Sequence, residues 1–275
     1  MTGTLYIVAT PIGNLEDMTF RAVRTLKEAD LIAAEDTRHS RKLLSHYGIA
    51  TPLTSYYDHN QSLKGERILA HLRDGKNVAL ISDAGTPCIS DPGYQLVRDA
   101  LAESIRVVPI PGACAAIAAL SSAGLPTDSF VFAGFPPPKE GKRRTFLASL
   151  AAAQGTVVLY EAPHRLAATL ADIDAVMGGR QVVVARELTK LFEEFLRGPA
   201  SHVRDLVQDG KERGEVVLLI SPADAKDRVA EGPSPEEQLR TLLAGGHTVK
   251  EAAAVVAAAT GLPRRELYAQ ALLVR

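Results

Sequence analysis

The chain has 275 residues, of which 46 % are hydrophobic and 23 % are charged, with a formal net charge of −1. This composition is typical of a globular protein with one large or two ordinary domains, and it argues against a protein that coats nucleic acid over its whole surface. No apolar run approaches the roughly 20 residues of a membrane span, and the first residues lack the basic segment of a signal peptide. The two cysteines, Cys88 and Cys114, make neither a disulfide framework nor a metal-ligand spacing, so we expect a cytoplasmic protein.

The first part of the chain alternates short apolar runs with segments of helical periodicity. A first helix is predicted over about Thr19 to Ala29, with Phe20, Val23 and Leu26 on its apolar face. The predicted strands are Leu5–Ala9, Leu31–Ala34, a strand that begins at Pro52, Val78–Ile81 and Arg106–Ile110. Strands and helices that alternate at this spacing predict an α/β domain with a mainly parallel sheet.

A second α/β series follows the Gly/Pro pair near residue 125, which is typical of a domain boundary. Its predicted strands are Phe130–Phe135, Thr156–Tyr160, Gln181–Ala185 and Glu215–Ile220. We therefore predict two α/β domains, 1–124 and 125–222, with a cleft between them, and a charged linker over 223–233.

Residues 234–275 form a predicted small helical tail. Ser234–Glu237 and Thr248–Glu251 are capping boxes, and two short helices around the turn at Gly261 have the spacing of a helix-turn-helix. Five basic and four acidic residues make this tail less basic than most DNA readers. A three-helix docking tail is at least as compatible with the pattern.

The stretch Ser82–Gly93 follows the buried strand Val78–Ile81 and precedes an amphipathic helix. Asp91 is predicted to cap that helix, with Pro92 at its first position. The loop is longer than the usual connection of about 4–6 residues and lies at the carboxyl end of a strand. Open α/β sheets bind ligands at that edge, so the stretch is predicted to bind a ligand.

Several common chemistries lack their sequence signals. The loop after the first strand, Thr10–Leu15, holds a single glycine, so it is not a dinucleotide-binding fingerprint, and the chain has no phosphate-binding P-loop. It also lacks a Gly-x-Ser-x-Gly elbow and a cluster of histidines with cysteines. What remains suits a ligand with a carboxylate, an ammonium and a nucleoside, but no phosphates.

The loops together resemble those of the tetrapyrrole-methylase superfamily. Within it, the chain is most similar to the enzymes that methylate a cytidine ribose 2′-hydroxyl in the decoding region of 16S rRNA. The motifs that carry the resemblance are Thr10–Asp17, Glu35–Arg38, Ser82–Pro87 with Ser90–Gly93, and Pro111–Ala115. The match covers essentially the whole chain, in the expected order.

The resemblance implies the tetrapyrrole-methylase fold, S-adenosylmethionine in the interdomain cleft, a homodimer and no required metal. The cofactor-binding residues that it implies are Pro11, Gly13, Asp83, Ala84, Gly85, Thr86, Pro111, Ala113 and Ala115. In the second domain, Glu161–Arg165, Arg186–Lys190 and Gly214–Glu215 fit the family pattern near the cleft. The two cysteines fall inside these motifs and are interpreted as packed residues, because methyl transfer from a sulfonium needs no thiol nucleophile.

Transfer to a hydroxyl needs a group that accepts the hydroxyl proton. The candidates at strand ends are Glu35, Asp36, His39, Asp58 and His59, and we favour Asp36 together with Arg38 and Glu35 as the catalytic residues. A rigid, basic loop after the strand Phe130–Phe135 is predicted to contact RNA phosphates. The predicted RNA-binding residues are Lys139, Lys142, Arg143, Arg144 and Arg41, with Arg38 and Lys42 adjoining Arg41.

Two other functions remain compatible with the sequence. A methyltransferase acting on a small tetrapyrrole would need neither the basic loop nor the tail. A non-catalytic, ribosome-associated module would bind small subunits but not S-adenosylmethionine. The sequence does not determine the general base, whether free rRNA or the assembled subunit is the acceptor, or what the tail contacts.

Overall fold

A computed structural model describes residues 2–56, 61–207, 214, 216–223 and 233–274. The chain divides into two compact units, one of residues 1–150 and 155–221 and the other of residues 151–154 and 222–275. The first unit holds both β-sheets, and the second holds the last three helices. In the described ranges, no helix combines the length and the apolar character that crossing a membrane requires.

The first sheet is parallel and has the strand order β3-β2-β4-β1-β5. Its strands are β1 (Thr4–Val8), β2 (Leu31–Ala34), β3 (Leu53–Ser55), β4 (Val78–Ile81) and β5 (Arg106–Ile110). The helices between them are α1 (Phe20–Glu28), α2 (Thr37–His46), α3 (Gln61–Arg73) and α4 (Tyr94–Ala102). The predicted strands and the predicted parallel sheet are confirmed.

The helices cover both faces of this sheet. Leu26 of α1 and Leu44 of α2 pack with Ile32 and Ile81 on one face, whereas Leu72 of α3 and Leu96 of α4 belong to a second apolar cluster. Along the strand order, the connection from β1 leads toward the β3 edge of the sheet, to β2, whereas the connection from β4 leads toward the opposite edge, to β5. The connections therefore reverse between the adjacent strands β1 and β4, which is where doubly wound sheets bind ligands.

Two details of the first domain differ from the predictions. Phe20 is the first residue of α1, directly after the N-cap Thr19, and is 97 % exposed, whereas the buried face of α1 consists of Ala22, Thr25 and Leu26. Helix α4 begins at Tyr94 with Gly93 as its N-cap, so Asp91 and Pro92 precede the helix. Gly93 has a φ of 141°, which a side chain would resist, and a β-carbon there would lie 2.6 Å from Cys88 Sγ.

The second sheet is mixed and has the order β6-β7-β10-β8-β9. Strands β6 and β7 are parallel, while the central β10 runs antiparallel to both of its neighbours. Its strands are β6 (Phe130–Phe132), β7 (Thr156–Glu161), β8 (Gln181–Arg186), β9 (Glu194–Pro199) and β10 (Val216–Ile220). Sequence reasoning missed β9, because its alternating charges, glycine and proline suit only a sheet edge.

Four helices accompany this second sheet. They are α5 (Ala115–Ser122), α6 (Glu140–Leu150), α7 (Pro163–Met177) and α8 (Ala200–Leu206). Although α5 precedes residue 125, its Ala116, Ala119 and Leu120 pack with Val183 and Val217 of the second sheet. The division of the body at residue 125 remains a prediction.

The second unit holds α9 (Pro235–Ala244), α10 (Val249–Thr260) and α11 (Arg264–Leu273) around one small apolar core. Both predicted capping boxes are present, at Ser234 with Glu237 and at Thr248 with Glu251. Gly261 ends α10 in the left-handed conformation, with a φ of 70°. Most of the predicted linker lies outside the described residues.

Candidate active site

The carboxyl ends of β1 and β4 are joined by a short bridge that shapes the site. The Thr10 N–H donates to the Gly85 carbonyl at 2.9 Å, and the Gly85 N–H returns a bond to Thr10 at 3.0 Å. Gly85 adopts a φ of 79° to make this bridge. The Thr86 hydroxyl donates to the Ala113 carbonyl at 3.0 Å, which fixes the loop after β4 to the turn after β5.

A cavity of about 260 Å³ lies above this bridge, between the first-sheet loops and the second sheet. Its lining comprises strand-end loops of the first sheet and side chains of the second: Ile12, Glu35, Asp83, Ala84, Gly85, Thr86, Ile89, Ser90, Asp91, Cys114, Ala115, Phe135, Tyr160, Glu161, Val216 and Val217. We call it the donor cavity.

The donor cavity is acidic and apolar. Four of its lining residues are carboxylic acids, and none of the described residues in its lining is Lys, Arg or His. Such a lining suits a ligand that carries positive charge and an apolar or aromatic body, whereas a phosphate would meet only like charge there.

Tyr160 and Glu161 position the second-sheet side of the cavity. The Tyr160 hydroxyl accepts the Ala116 N–H at 3.3 Å, and burial, followed by the nearby Cys114, raises the pKa of Tyr160 to about 12. Glu161 is buried, and its carboxylate accepts bonds from the Ala162 N–H at 2.8 Å and from the Thr169 hydroxyl at 2.5 Å. Both groups are therefore held in place, and Tyr160 stays protonated at neutral pH.

A second cavity of about 280 Å³ lies on the other side of the loop after β1. It is lined by Pro11, Gly13, Leu15, His39, Lys42, Leu43 and Asp83. Among the described residues, Asp83 is the one lining residue that the two cavities share. We call this second space the side cavity.

The loop after β8 closes against the loop after β1 beside the side cavity. A β-carbon at Gly13 would lie 2.6 Å from Lys190 Cγ and 2.9 Å from Thr189 Oγ1, so only glycine fits there without a shift. Lys190 Nζ pairs with Glu187 at 3.0 Å, and Glu187 and Thr189 have φ values of 51° and 66°. The predicted stretch Arg186–Lys190 thus contacts the first-sheet loop through Lys190.

The predicted cofactor residues are distributed over three places. The donor cavity is lined by Asp83, Ala84, Gly85, Thr86 and Ala115, and the side cavity by Pro11, Gly13 and again Asp83. Ala113 and Pro111 do not line the donor cavity, although the Ala113 carbonyl holds Thr86.

The predicted catalytic residues separate in the structure. Glu35 lines the donor cavity, whereas Asp36 and Arg38 form an exposed ion pair with 3.0 Å between Arg38 Nη2 and Asp36 Oδ2. Asp36 also accepts the Arg38 N–H at 2.8 Å as the N-cap of α2. Asp36 lines neither of these two cavities, and the hydrogen bonds from Arg38 lower its pKa to about 2, so the structure does not favour it as the base. Asp58 and His59 lie outside the described residues.

The predicted basic loop is largely helical, since Lys142, Arg143 and Arg144 belong to α6. Lys139 and Lys142 are exposed. The Arg143 side chain is only 7 % exposed and pairs with the buried Asp172 at 2.7 Å, so it is not available to RNA and leaves the predicted binding set. Arg144 is half exposed but pairs with both Asp172 and Glu140.

The two cysteines are both half-buried, and their interpretation as packed residues stays a prediction. Burial, with a smaller contribution from Asp91, raises the pKa of the Cys88 thiol and so disfavours its thiolate. Cys114 lies at the N-cap of α5 and lines the donor cavity.

Sequence reasoning missed Phe135, Tyr160, Val216 and Val217 as cavity residues. Phe135 follows β6, and Tyr160 is the penultimate residue of β7. Their positions near strand ends were a sequence signal that could have identified them. The two valines belong to a fully buried central strand, whose sequence carries no sign of a ligand.

The fold and the loops have known relatives. Residues 4–204 match the family Tetrapyrrole (Corrin/Porphyrin) Methylases, and residues 230–274 match the RsmI C-terminal HTH domain. The chain belongs to the tetrapyrrole methylase family. It is therefore a methyltransferase, and S-adenosylmethionine is its expected methyl donor.

Curated relatives match nearly the whole chain. The chain is 51 % identical to ribosomal RNA small subunit methyltransferase I of Synechocystis over 97 % of this chain and 96 % of the relative. It is 48 % identical to the protein of the same name from Halalkalibacterium halodurans, over 97 % of this chain and 93 % of the relative.

Solved structures share the fold at low identity. A cobalt precorrin-4 methyltransferase covers 79 % of this chain and 94 % of its own length, with a TM-score of 0.60 and 18 % identity. A uroporphyrin-III C-methyltransferase from Thermus thermophilus, complexed with S-adenosyl homocysteine, covers 79 % of this chain and 97 % of its own length, with a TM-score of 0.55 and 18 % identity.

The donor cavity fits the expected methyl donor. S-adenosylmethionine carries a cationic sulfonium and a cationic ammonium, together with one carboxylate and an adenosine without phosphates. Glu35, Asp83 and Asp91 offer carboxylates to the cations, while Ile12 and Phe135 offer apolar surface to the adenosine.

Proposed function

We propose that this chain transfers a methyl group from S-adenosylmethionine to the 2′-hydroxyl of a cytidine ribose in the decoding region of 16S rRNA. The rRNA substrate is supported by the relatives, which share about half of their residues with this chain over nearly the full length. The 2′-hydroxyl and the cytidine rest on the loop motifs Thr10–Asp17 and Glu35–Arg38.

One observation carries the methyl-transfer proposal. The cavity at the reversal point of the first sheet has an acidic and apolar lining without a basic side chain among its described residues. This lining matches a cationic methyl donor and disfavours nicotinamide dinucleotides, whose pyrophosphate requires backbone amides or basic side chains.

The proposed reaction is an in-line displacement at the sulfonium methyl. Alignment of the acceptor oxygen, the methyl carbon and the sulfur supplies much of the acceleration, because well-oriented groups reach effective molarities of about 10⁵ M or more. The proposed donor-binding residues are those that line the donor cavity, namely Asp83, Ala84, Gly85, Thr86 and Ala115. Glu35 stays in the proposed catalytic set because it lines that cavity.

Lys139, Lys142 and Arg41 are the proposed RNA contacts, with Arg144 in a secondary position because its guanidinium already has two carboxylate partners. We propose that the acceptor is a folded ribosomal RNA read by its shape and by a few phosphates, as a nearly neutral protein would read it. A cytoplasmic homodimer remains part of the proposal.

The test is to incubate the protein with radiolabelled S-adenosylmethionine and with small subunits from cells that lack this protein. We expect label in 16S rRNA, at one cytidine of the decoding region, in a form that resists alkaline cleavage at the 3′ side of that nucleotide. Parallel reactions with free 16S rRNA and with a uroporphyrinogen identify the preferred acceptor. Label in the tetrapyrrole alone would replace the proposal with tetrapyrrole methylation, and binding to subunits without any label would favour a non-catalytic module.

A further inference from the structure

The two cavities at the carboxyl edge of the first sheet differ in charge, and binding of the methyl donor does not account for the basic residues of the side cavity. The donor cavity is acidic, whereas the side cavity carries two basic side chains, His39 and Lys42. Both lie on α2, three residues apart, and so project from the same side of that helix. The opposite wall of the side cavity is apolar and consists of Pro11, Gly13 and Leu15.

Methyl transfer requires the acceptor oxygen to reach the donor methyl group, so the acceptor must enter beside the donor cavity. Asp83 forms the boundary at which the two described linings meet. The Asp36 N–H donates to Asp83 Oδ1 at 3.0 Å and thereby orients the carboxylate at the end of β4.

We propose that the side cavity receives the acceptor nucleotide, with Lys42 and His39 on its phosphate, the Pro11–Leu15 wall against its ribose and base, and the Asp83 carboxylate on the reacting hydroxyl. This proposal rests on the proposed function, because it needs a nucleotide as the acceptor. It assigns to Asp83, at the boundary of the two cavities, the proton-accepting role that sequence analysis predicted for Asp36.

The hydroxyl O–H bond breaks and its proton passes to the Asp83 carboxylate. The acceptor oxygen forms a bond to the methyl carbon while the carbon–sulfur bond breaks, and the electron pair of that bond stays on sulfur. The sulfonium thus becomes the neutral thioether of S-adenosylhomocysteine, and the Asp83 proton is released to solvent.

The first test separates the side cavity from the donor cavity. Lys42→Met and His39→Gln are compared with Lys76→Met, which removes an exposed lysine at the amino edge of the same sheet. We expect Lys42→Met to raise the subunit concentration for half-maximal single-turnover methylation and to reduce the log–log salt slope of subunit binding by about 1. Binding of S-adenosylhomocysteine, measured by calorimetry, stays within twofold in all three variants.

The second test concerns Asp83. In Asp83→Asn the side-chain oxygen still accepts the Asp36 N–H, but the group no longer takes a proton. At saturating donor and subunit, the single-turnover rate is expected to fall by about 10²-fold or more, while subunit binding stays within threefold. A rate within threefold of the wild type would show that Asp83 is not the base.

The outcomes distinguish the two proposals. If the wild-type protein labels no rRNA, the proposed function fails and the acceptor assignment fails with it. If it labels rRNA but Lys42→Met and His39→Gln behave like Lys76→Met, the side cavity is not the acceptor site and the proposed function stands. If S-adenosylhomocysteine affinity falls in Lys42→Met, the side cavity binds the donor and the assignment is wrong.

Discussion

The carboxylate of Asp36 makes its hydrogen bonds with the first turn of the helix that it caps. This carboxylate accepts the N–H of Arg38 at 2.8 Å and bonds to the Arg38 guanidinium, so it caps α2 and forms an ion pair at once. Each of these interactions favours the ionised form. The same carboxylate that sequence reasoning selected as a base is therefore the one whose proton affinity the structure reduces most clearly.

Asp36 is expected to titrate with a pKa of about 2, well below its ordinary value of 3.8, because Arg38 stabilises its charged form. A folded-state pKa below the unfolded value means that the contribution to stability is present above pH 4 and is lost as the pH falls toward 2. Carboxyl chemical shifts in an NMR titration measure this directly. In Arg38→Met the pKa should rise only part of the way toward 3.8, because the backbone N–H of residue 38 still donates to Asp36, and an unchanged value would show that the ion pair is not a cause of the shift.

At the scale of elements, helices α6 and α7 are joined by a buried charge cluster. Asp172 of α7 is 3 % exposed and receives Arg143 Nε and Arg144 Nε at 2.7 Å each. Arg143 also donates to the Pro138 carbonyl at 3.2 Å. The cluster thus fixes the start of α6, where the proposed RNA contacts Lys139 and Lys142 lie.

Replacement of Asp172 by Asn is expected to reduce the free energy of unfolding by about 3 kcal/mol or more, because it leaves the buried Arg143 without a counter-charge. Urea denaturation of the full chain measures the effect. Glu140→Gln is the matched control, since it breaks an exposed pair with Arg144 that is worth less than about 0.5 kcal/mol. Equal losses in the two variants would contradict a structural role for the buried cluster.

Sequence analysis correctly predicted the elements that a local pattern marks, such as a short apolar run or a helix cap. Strands β1, β2, β4 and β5 and the caps of the last helices follow from such local patterns. Strand β9 was missed because pairing with β8, rather than its own residues, makes it a strand. Phe20 was misplaced because an apolar residue at a helix start is free to face either the sheet or solvent.

The sequence predicted which loops form the site, but it did not predict that the site is divided into two cavities. The loops after β1, β2, β4 and β5 were all identified, since strand ends in an α/β sheet converge at one edge. The separation into two cavities depends on contacts between distant segments, such as Lys190 against Gly13 and Ala116 against Tyr160. Local sequence holds no record of such contacts, so the proposal of Asp83 in place of Asp36 as the base depended on the structure.

At the scale of the molecule, the balanced net charge requires local patches to attract RNA. Lys139 and Lys142 are proposed as one such patch, since both are exposed, whereas Arg143 beside them is buried. The basic sequence 139–144 therefore offers fewer free cations than its composition indicates.

The double variant Lys139→Glu with Lys142→Glu is expected to weaken subunit binding and to flatten the log–log salt slope by about 2, one for each lost phosphate contact. Filter binding at several salt concentrations measures the slope. Lys27→Glu with Lys76→Glu changes the net charge equally, at exposed positions near the amino edge of the first sheet. A slope that changes equally in both double variants would indicate a general charge effect and contradict a local contact.

The central position of β10 constrains the order in which this protein becomes active during its synthesis. β10 is the last strand of the residues that the structure describes, yet it separates β7 from β8 and supplies Val216 and Val217 to the donor cavity. A nascent chain that ends before residue 216 has two internal strands with unpaired edges and an open cavity wall. The proposed methyl-donor site is therefore completed only once β10 has been synthesised, and chains truncated before it expose unpaired strand edges.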